Sequence, residues 1–220
     1  MPWMLIENMH QSSPISPDVS YPGWLEDGSV SRVKVIQQCD PMYEPHFAKR
    51  EPRLDEAVLP TRLKLEKKIA RGFGDLMMAP SCFVFVSERF KDAVEALEPG
   101  VHQFWRVREL ALRKGMEPPG PIYGFRVCQM LRSVDFERSS HLEKRYTDDT
   151  PKTELPYSYK RHLWHEWGKD IVLRPGPWED AHVWCDFISG AHLMISDALH
   201  DVAKTEKMKI WKAHRIRVAT

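Results

Sequence analysis

The chain has 220 residues and a mass of 25.7 kDa, enough to bury a substantial core as one large domain or two small ones. Hydrophobic residues at 42% beside 29% charged residues are ordinary for a soluble globular protein. A formal net charge of +1 withholds support from nucleic-acid binding, which usually brings a clear basic excess, and no segment approaches the length of a membrane span.

The chain opens on Met1-Pro2-Trp3-Met4-Leu5-Ile6-Glu7, with no basic n-region and too short an apolar run for a secretory signal. Residues 1–60 read as an irregular portion. Ser12 to Pro17 and Tyr21-Pro22-Gly23-Trp24 form loops, Arg32 to Ile36 suggests a strand, and the prolines at 41, 45, 52 and 60 mark an extended surface connection. Arg62 to Ala70 is ambiguous and is assigned a short helix. Gly72-Phe73-Gly74-Asp75 has two glycines of a dinucleotide fingerprint but precedes a strand where it should follow one, so nucleotide binding is rejected.

Residues 82–107 are sharper. Cys82 to Val86 is an unbroken apolar run suited to a buried strand. Ser87 supplies an N-cap, and Glu88 places negative charge at the positive end of the helix dipole. Phe90, Ala93, Val94 and Leu97 then fall at i, i+3, i+4 and i+7, giving one apolar helix face, before Pro99-Gly100 stops it and Val101 to Val107 forms a strand.

Gly115 and Pro118 to Pro121 break the chain. Ile122 to Leu131 reads as a strand followed by a helical turn, with Val134-Asp135-Phe136-Glu137-Arg138-Ser139 directly after it. Residues 140–170 form an insertion rich in charge, tyrosine and tryptophan. Ile171 to Leu173 and Ala181 to Phe187 are short strands around the turn Pro175-Gly176-Pro177. Residues 191–218 then repeat the earlier unit: an apolar run, Ser196, Asp197, a helical pattern and a strand from Ile210 to Val218. Ser196 lies 109 residues after Ser87, and at that offset Phe90, Ala93 and Val94 match Leu199, Val202 and Ala203, while Leu97 falls on Glu206 and shortens the second helix. The fold expected is a single α+β domain over 1–220, with a mixed or mostly antiparallel sheet, few helices and two related strand-Ser-acid-helix-strand units as its halves.

Catalytic constellations are weak. His162 and His165, with Glu166 beside them, share a helix face and could approach a zinc ion, with His182 or Cys185 as a third ligand. The spacing is not that of the HExxH metalloprotease signature. A metal-dependent hydrolase on His162/His165 is therefore the competing reading, not the main one. Ser87 and Ser196 recur before an acid and a helical stripe, outside any G-x-S-x-G setting, which identifies them as structural helix caps. The basic strips around Trp105 and from Lys207 to Arg217 read as solvated strand edges and helix faces. Cysteines 39, 82, 128 and 185 include no CxxC pair and read as reduced thiols in a bacterial-type cytoplasm. What remains is an interaction surface: Tyr157, Tyr159, Arg161, Trp164, Glu166 and Trp167 combine the aromatics and arginine of interface hot spots, although aromatics are equally at home in a core.

Phe85-Val86-Ser87-Glu88-Arg89-Phe90, the segment from Tyr123 to Ser139, and Ala181 to Trp184 followed by Met194 to Leu199 occur in that order in one bacterial family. Over residues 20 to 218 the chain resembles the toxin-immunity proteins of polymorphic toxin systems. It departs from them in a second helix truncated around Lys204 to Lys207 without the usual glycine, and in the longer, more aromatic tract at 140–170. The resemblance implies a non-catalytic cytoplasmic protein, without cofactor or metal, that binds and neutralises the toxin domain encoded beside it. Neither nucleic acid nor membrane is expected as a partner, and homo-oligomerisation is left open.

Overall fold

The computed structural model describes residues 1–6, 15–17, 53–54, 56, 59, 61–65, 73–78, 84–111, 118, 120–135, 137–140, 142–143, 158–159, 171–186 and 193–220. Strands β1 (Trp3–Ile6), β2 (Ile15–Pro17), β3 (Arg62–Leu65), β4 (Leu76–Met78) and β5 (Val84–Ser87) lead to helix α1 (Glu88–Leu97), then β6 (Gln103–Arg106) and β7 (Glu109–Ala111). Next come β8 (Ile122–Arg126), β9 (Met130–Leu131), β10 (Leu142–Glu143), β11 (Ser158–Tyr159), β12 (Val172–Leu173), β13 (Val183–Asp186) and β14 (Leu193–Ile195). Helix α2 (Asp197–Thr205), β15 (Lys212–Arg215) and β16 (Arg217–Val218) close the sequence. Two helices among mostly antiparallel sheets, counted among the described residues, make this an α+β fold, as expected from the sequence.

Two sheets carry the helices. One has the order β4-β5-β8-β6, the other β15-β1-β14-β13-β9. In the first, β8 lies antiparallel between β5 and β6, and in the second β1 lies antiparallel between β14 and β15. Both helix-bearing units therefore enclose one foreign strand, drawn from just after the unit in one case and from the chain's first residues in the other. On the outer side β4 pairs antiparallel with β5, and β13 pairs likewise with β14. Small sheets β2-β3-β7, β10-β11 and β12-β16 complete the described elements.

The period-2 alternation of strands divides the core. Leu5, Val183, Cys185, Leu193 and Ile195 face a cluster that also takes Val86, Phe90, Val94 and Phe125 from the first unit and Leu199 and Ala203 from α2. Their neighbours Met4, Trp184 and Met194 face the other way, onto Val134, Ile171, Leu173 and Ile216. The five-stranded sheet is thus buried on both faces. The helix stripes behave as the spacing predicts: Phe90 and Val94 are buried on α1, and Leu199 and Ala203 on α2.

Two local expectations change, and a third is explained. The helix assigned to Arg62 to Ala70 is instead β3 where it is described, since Leu63 and Leu65 alternate with Arg62 and Lys64 at the period of a strand, and β3 pairs with both β2 and β7. Ile122 to Leu131 holds no helical turn: β8 ends at Arg126 and β9 joins the other sheet, parallel to β13. The second helix ends at Thr205 without glycine. Lys207 takes the left-handed conformation (φ 52°), and the N–H groups of Lys207 and Met208 return to the carbonyls of Lys204 and Ala203 at 3.1 and 2.8 Å, the bonding pattern that a glycine usually serves. The strand expected at Arg32 to Ile36 and the first residues of each apolar run, Cys82-Phe83 and Ala191-His192, lie outside the described residues.

Candidate functional site

The two cap serines have the same backbone, Ser87 at φ −71° and ψ 162° and Ser196 at φ −72° and ψ 164°. Each hydroxyl accepts from the third N–H of its helix, Phe90 at 3.3 Å and Leu199 at 3.2 Å. Each also meets the residue just before the neighbouring strand. Ser87 donates to Asp75 Oδ1 at 2.6 Å, and Ser196 Oγ lies 2.8 Å from His182 Nδ1. These are architectural contacts on hydroxyls whose lone pairs face a helix end. Replacing Ser87 with alanine is expected to cost about 1 kcal/mol of stability, read as a lower denaturation midpoint, with partner binding unchanged in the folded fraction.

Asp75 is the hub of the first cap. It is 4% exposed and accepts from Arg89 Nε and Nη2 at 2.6 Å each and from the Lys209 N–H at 2.6 Å. Burial alone would raise its carboxyl, but the bonds from Arg89, Ser87 and Lys209 outweigh it and hold the group below the usual aspartate range. Its own N–H donates to the Lys209 carbonyl at 2.8 Å. The loop after α2 is thereby fastened to the first unit.

The reciprocal grip comes from Glu98. Placed just beyond α1 and 5% exposed, its carboxylate accepts from the backbone N–H groups of His182 and Val183 at 2.8 and 2.9 Å, so the end of α1 is fastened to the start of β13. His102 Nδ1 accepts from the Cys128 N–H at 3.2 Å, which leaves the proton on Nε2 to donate to Glu98 at 2.9 Å. Here too burial works to raise the carboxyl and is overcome, chiefly by the hydrogen bond from His102 and the N–H of His182, so that it titrates below the ordinary range. Asp186, fully buried, accepts from Ser133 N and Oγ and from Val134 N at 2.6, 2.7 and 2.9 Å.

The segment from Val134 to Ser139 is equally structural. Asp135 Oδ1 accepts from the N–H groups of Glu137 and Arg138 at 3.1 and 3.2 Å, while Ser139 Oγ accepts from Val172 N at 3.0 Å. A cleft of about 420 Å³ opens beside the Ser87 cap, lined by Phe73, Met77, Pro121 and Ile122 with Glu88 and Arg89.

Of the residues singled out for partner binding, Tyr159 is placed only by its backbone, opposite Leu142 in the β10-β11 pair. Tyr157, Arg161, Trp164, Glu166 and Trp167 lie outside the described residues, as do His162 and His165. His182 is engaged with Ser196, and Cys185 is buried in β13 within the core. Among the described residues no group of three or more His, Cys, Asp or Glu could hold a metal ion, and no helix is long and apolar enough to cross a membrane.

A further surface gathers around Trp3. Its ring stacks on His200 with centroids 3.8 Å apart and planes 8° from parallel, the Arg215 guanidinium lies 5.6 Å from the ring centre, and the indole N–H donates to Asp197 at 2.7 Å. No curated protein matches the chain. The resemblance to toxin-immunity proteins, carried by the cap-helix units and the segment from Tyr123 to Ser139, is borne out by a family profile that spans residues 27–216, and on that match the chain belongs to the Immunity protein family (Imm11).

Proposed function

We propose that this chain neutralises one cognate toxin domain by binding it directly, without catalysis or a cofactor, in the cytoplasm of a bacterium that carries a polymorphic toxin system. The match to an immunity family over residues 27–216 carries the reading. The described polar side chains add to it: Ser87, Asp75, Glu98, His102, Asp135 and Asp186 are each spent on holding elements together. An inhibitor needs complementary shape and charge, and a near-neutral net charge is compatible with that. The aromatic tract at Tyr157, Tyr159, Arg161, Trp164, Glu166 and Trp167 is its proposed contact segment, on hot-spot composition.

Co-expression with the product of the adjacent gene tests this reading. Growth arrest by that product alone, relieved by this chain together with recovery of a stable complex, is the expected result. A harmless neighbour, or toxicity relieved without any complex, overturns direct neutralisation.

A further inference from the structure

The two helix-bearing units match beyond their caps. Arg106-Val107-Arg108 recurs 109 residues later as Arg215-Ile216-Arg217, the same spacing that separates Ser87 from Ser196. In both tripeptides the middle residue is buried and the arginines are exposed. The middle N–H makes the same bond in each, Val107 donating to the Ile122 carbonyl and Ile216 to the Pro2 carbonyl, both at 3.0 Å. Arg106 then lies across from Tyr123 in the β6-β8 register, and Arg215 across from Trp3 in the β1-β15 register. In each unit an aromatic residue on the enclosed strand therefore faces an exposed arginine.

The surroundings of the two rings correspond as well. The Tyr123 hydroxyl donates to Glu88 Oε1 at 3.2 Å, and the Trp3 indole N–H donates to Asp197 Oδ1 at 2.7 Å. Both acids are the first residue of their helix. One turn on, the Lys91 ammonium lies 5.4 Å from the Tyr123 ring centre, and His200 stacks on Trp3. Four side chains thus keep their places in both units, while other exposed helix positions are held less closely: Asp92 recurs as Asp201, but Arg89 corresponds to Ala198 and Ala96 to Thr205.

Packing can hold a core residue to type, but it does not hold an exposed arginine. A cation–π contact at an exposed site contributes only about 0.5–1 kcal/mol, so the recurrence of Arg106 as Arg215 points outside the chain. Tyrosine, tryptophan and arginine dominate interface hot spots, and rings already held in place lose little entropy when a partner arrives. The two sites are also well separated. Arg89, at the start of α1, bonds the Glu206 carbonyl just past the end of α2 at 3.1 Å, whereas Glu98, just past the end of α1, bonds the N–H of His182, whose ring meets the α2 cap. The helices therefore run in opposite directions, and their N-terminal ends lie about 15 Å apart along the pair, the length of a ten-residue helix.

We infer that one contact site occurs twice in this chain, at Arg106 with Tyr123 and at Arg215 with Trp3, and that the chain holds two protomers of the toxin domain, one at each. This rests on the proposed function and adds a surface and a stoichiometry to it. Equivalent sites take equivalent faces, whether these belong to two separate toxin domains or to the halves of a twofold toxin dimer. The sedimentation of the toxin domain alone distinguishes those two sources.

The test titrates an inactivated toxin domain from the adjacent gene against the full chain and reads the mass of the complex by analytical ultracentrifugation. Two toxin protomers per chain is the expected ratio, and one per chain overturns the inference while leaving the proposed function standing. Arg106→Ala and Arg215→Ala are each expected to weaken binding of one protomer about tenfold, and the double variant to weaken both. Should either fold poorly by circular dichroism, Arg106→Lys or Arg215→Lys keeps the charge but loses the planar fork and is expected to act in the same direction. Folded variants that bind two protomers as tightly as the wild type, with only their urea midpoints lowered, make both arginines architectural and end the proposal. A wild type that binds no toxin removes this inference and the proposed function together.

Discussion

Glu98→Ala is expected to lower the free energy of unfolding by about 3–5 kcal/mol, because several donors lose the acceptor they face and each such loss costs about 1–3 kcal/mol. The variant strands two backbone donors, His182 N and Val183 N, and the His102 Nε2–H, the last two buried and the first half-buried. The side-chain amide of Gln129, in the orientation that satisfies both of its ends, reaches the same carboxylate at 3.3 Å, so a fourth donor loses its acceptor. Urea denaturation of the two proteins measures the difference, and a loss under about 1 kcal/mol would mean that water replaces the carboxylate without penalty.

The same residue sets a pH dependence. The folded-state pKa of Glu98 is depressed below the ordinary glutamate range, so the folded form holds its charge more firmly than the unfolded chain does. That contribution is fully present above the unfolded value and is lost as the pH falls through the lower folded value. Asp75, whose carboxyl is likewise held below its ordinary range, contributes in the same direction. Glu98→Gln is therefore expected to be less stable than wild type at neutral pH and to lose less on acidification. Thermal melts between neutral pH and pH 3 that run parallel for the two proteins would contradict this.

Gly124→Ala should also destabilise, against the usual sign. In a strand interior alanine normally improves on glycine by about 0.5–1 kcal/mol. Here a Cβ would stand 1.9 Å from Trp105 Cε2 and 2.1 Å from its Cζ2. Trp105 lies directly across from Gly124 in the β6-β8 register, its ring over the bare backbone. The expected loss is about 1–3 kcal/mol, typical of overpacking. A double-mutant cycle with Trp105→Ala separates the clash from everything else the tryptophan does: the cost of Gly124→Ala should vanish or change sign in that background.

The sequence was most readable where information is local. Ser87 and Ser196 sit immediately before an acid and an i, i+3, i+4 stripe, and the structure gives both the cap bond and the buried face those patterns predict. Asp75 and Glu98 were missed because their partners are distant: Asp75 and Lys209 are 134 residues apart, Glu98 and His182 are 84 apart, and no periodicity links such positions. One signal was available for Glu98. An acid just past the C-terminus of a helix opposes the dipole, and a residue in a locally unfavourable place is often held there by something remote. β3 was misread for a different reason, since a four-residue alternation in a lysine-rich stretch satisfies helix and strand templates alike. The toxin-immunity reading came from the order of short motifs whose described residues turn out to be structural, which is why it located a family and no contact surface.

The placement of β1 has a consequence for how the chain is made. Trp3 pairs with Ile195 on one side and with Arg215 on the other, so this strand is made well before either of its neighbours and must wait until both have been synthesised. The sheet built from residues 76–126 has no such delay and can close while synthesis continues. During that interval Met4 and Leu5, both fully interior at the end, have no core to enter. Folding is thus asymmetric in time although the two units share a strand order, and β1 acts as a late key, inserted only once the C-terminal unit has presented both sides of its slot.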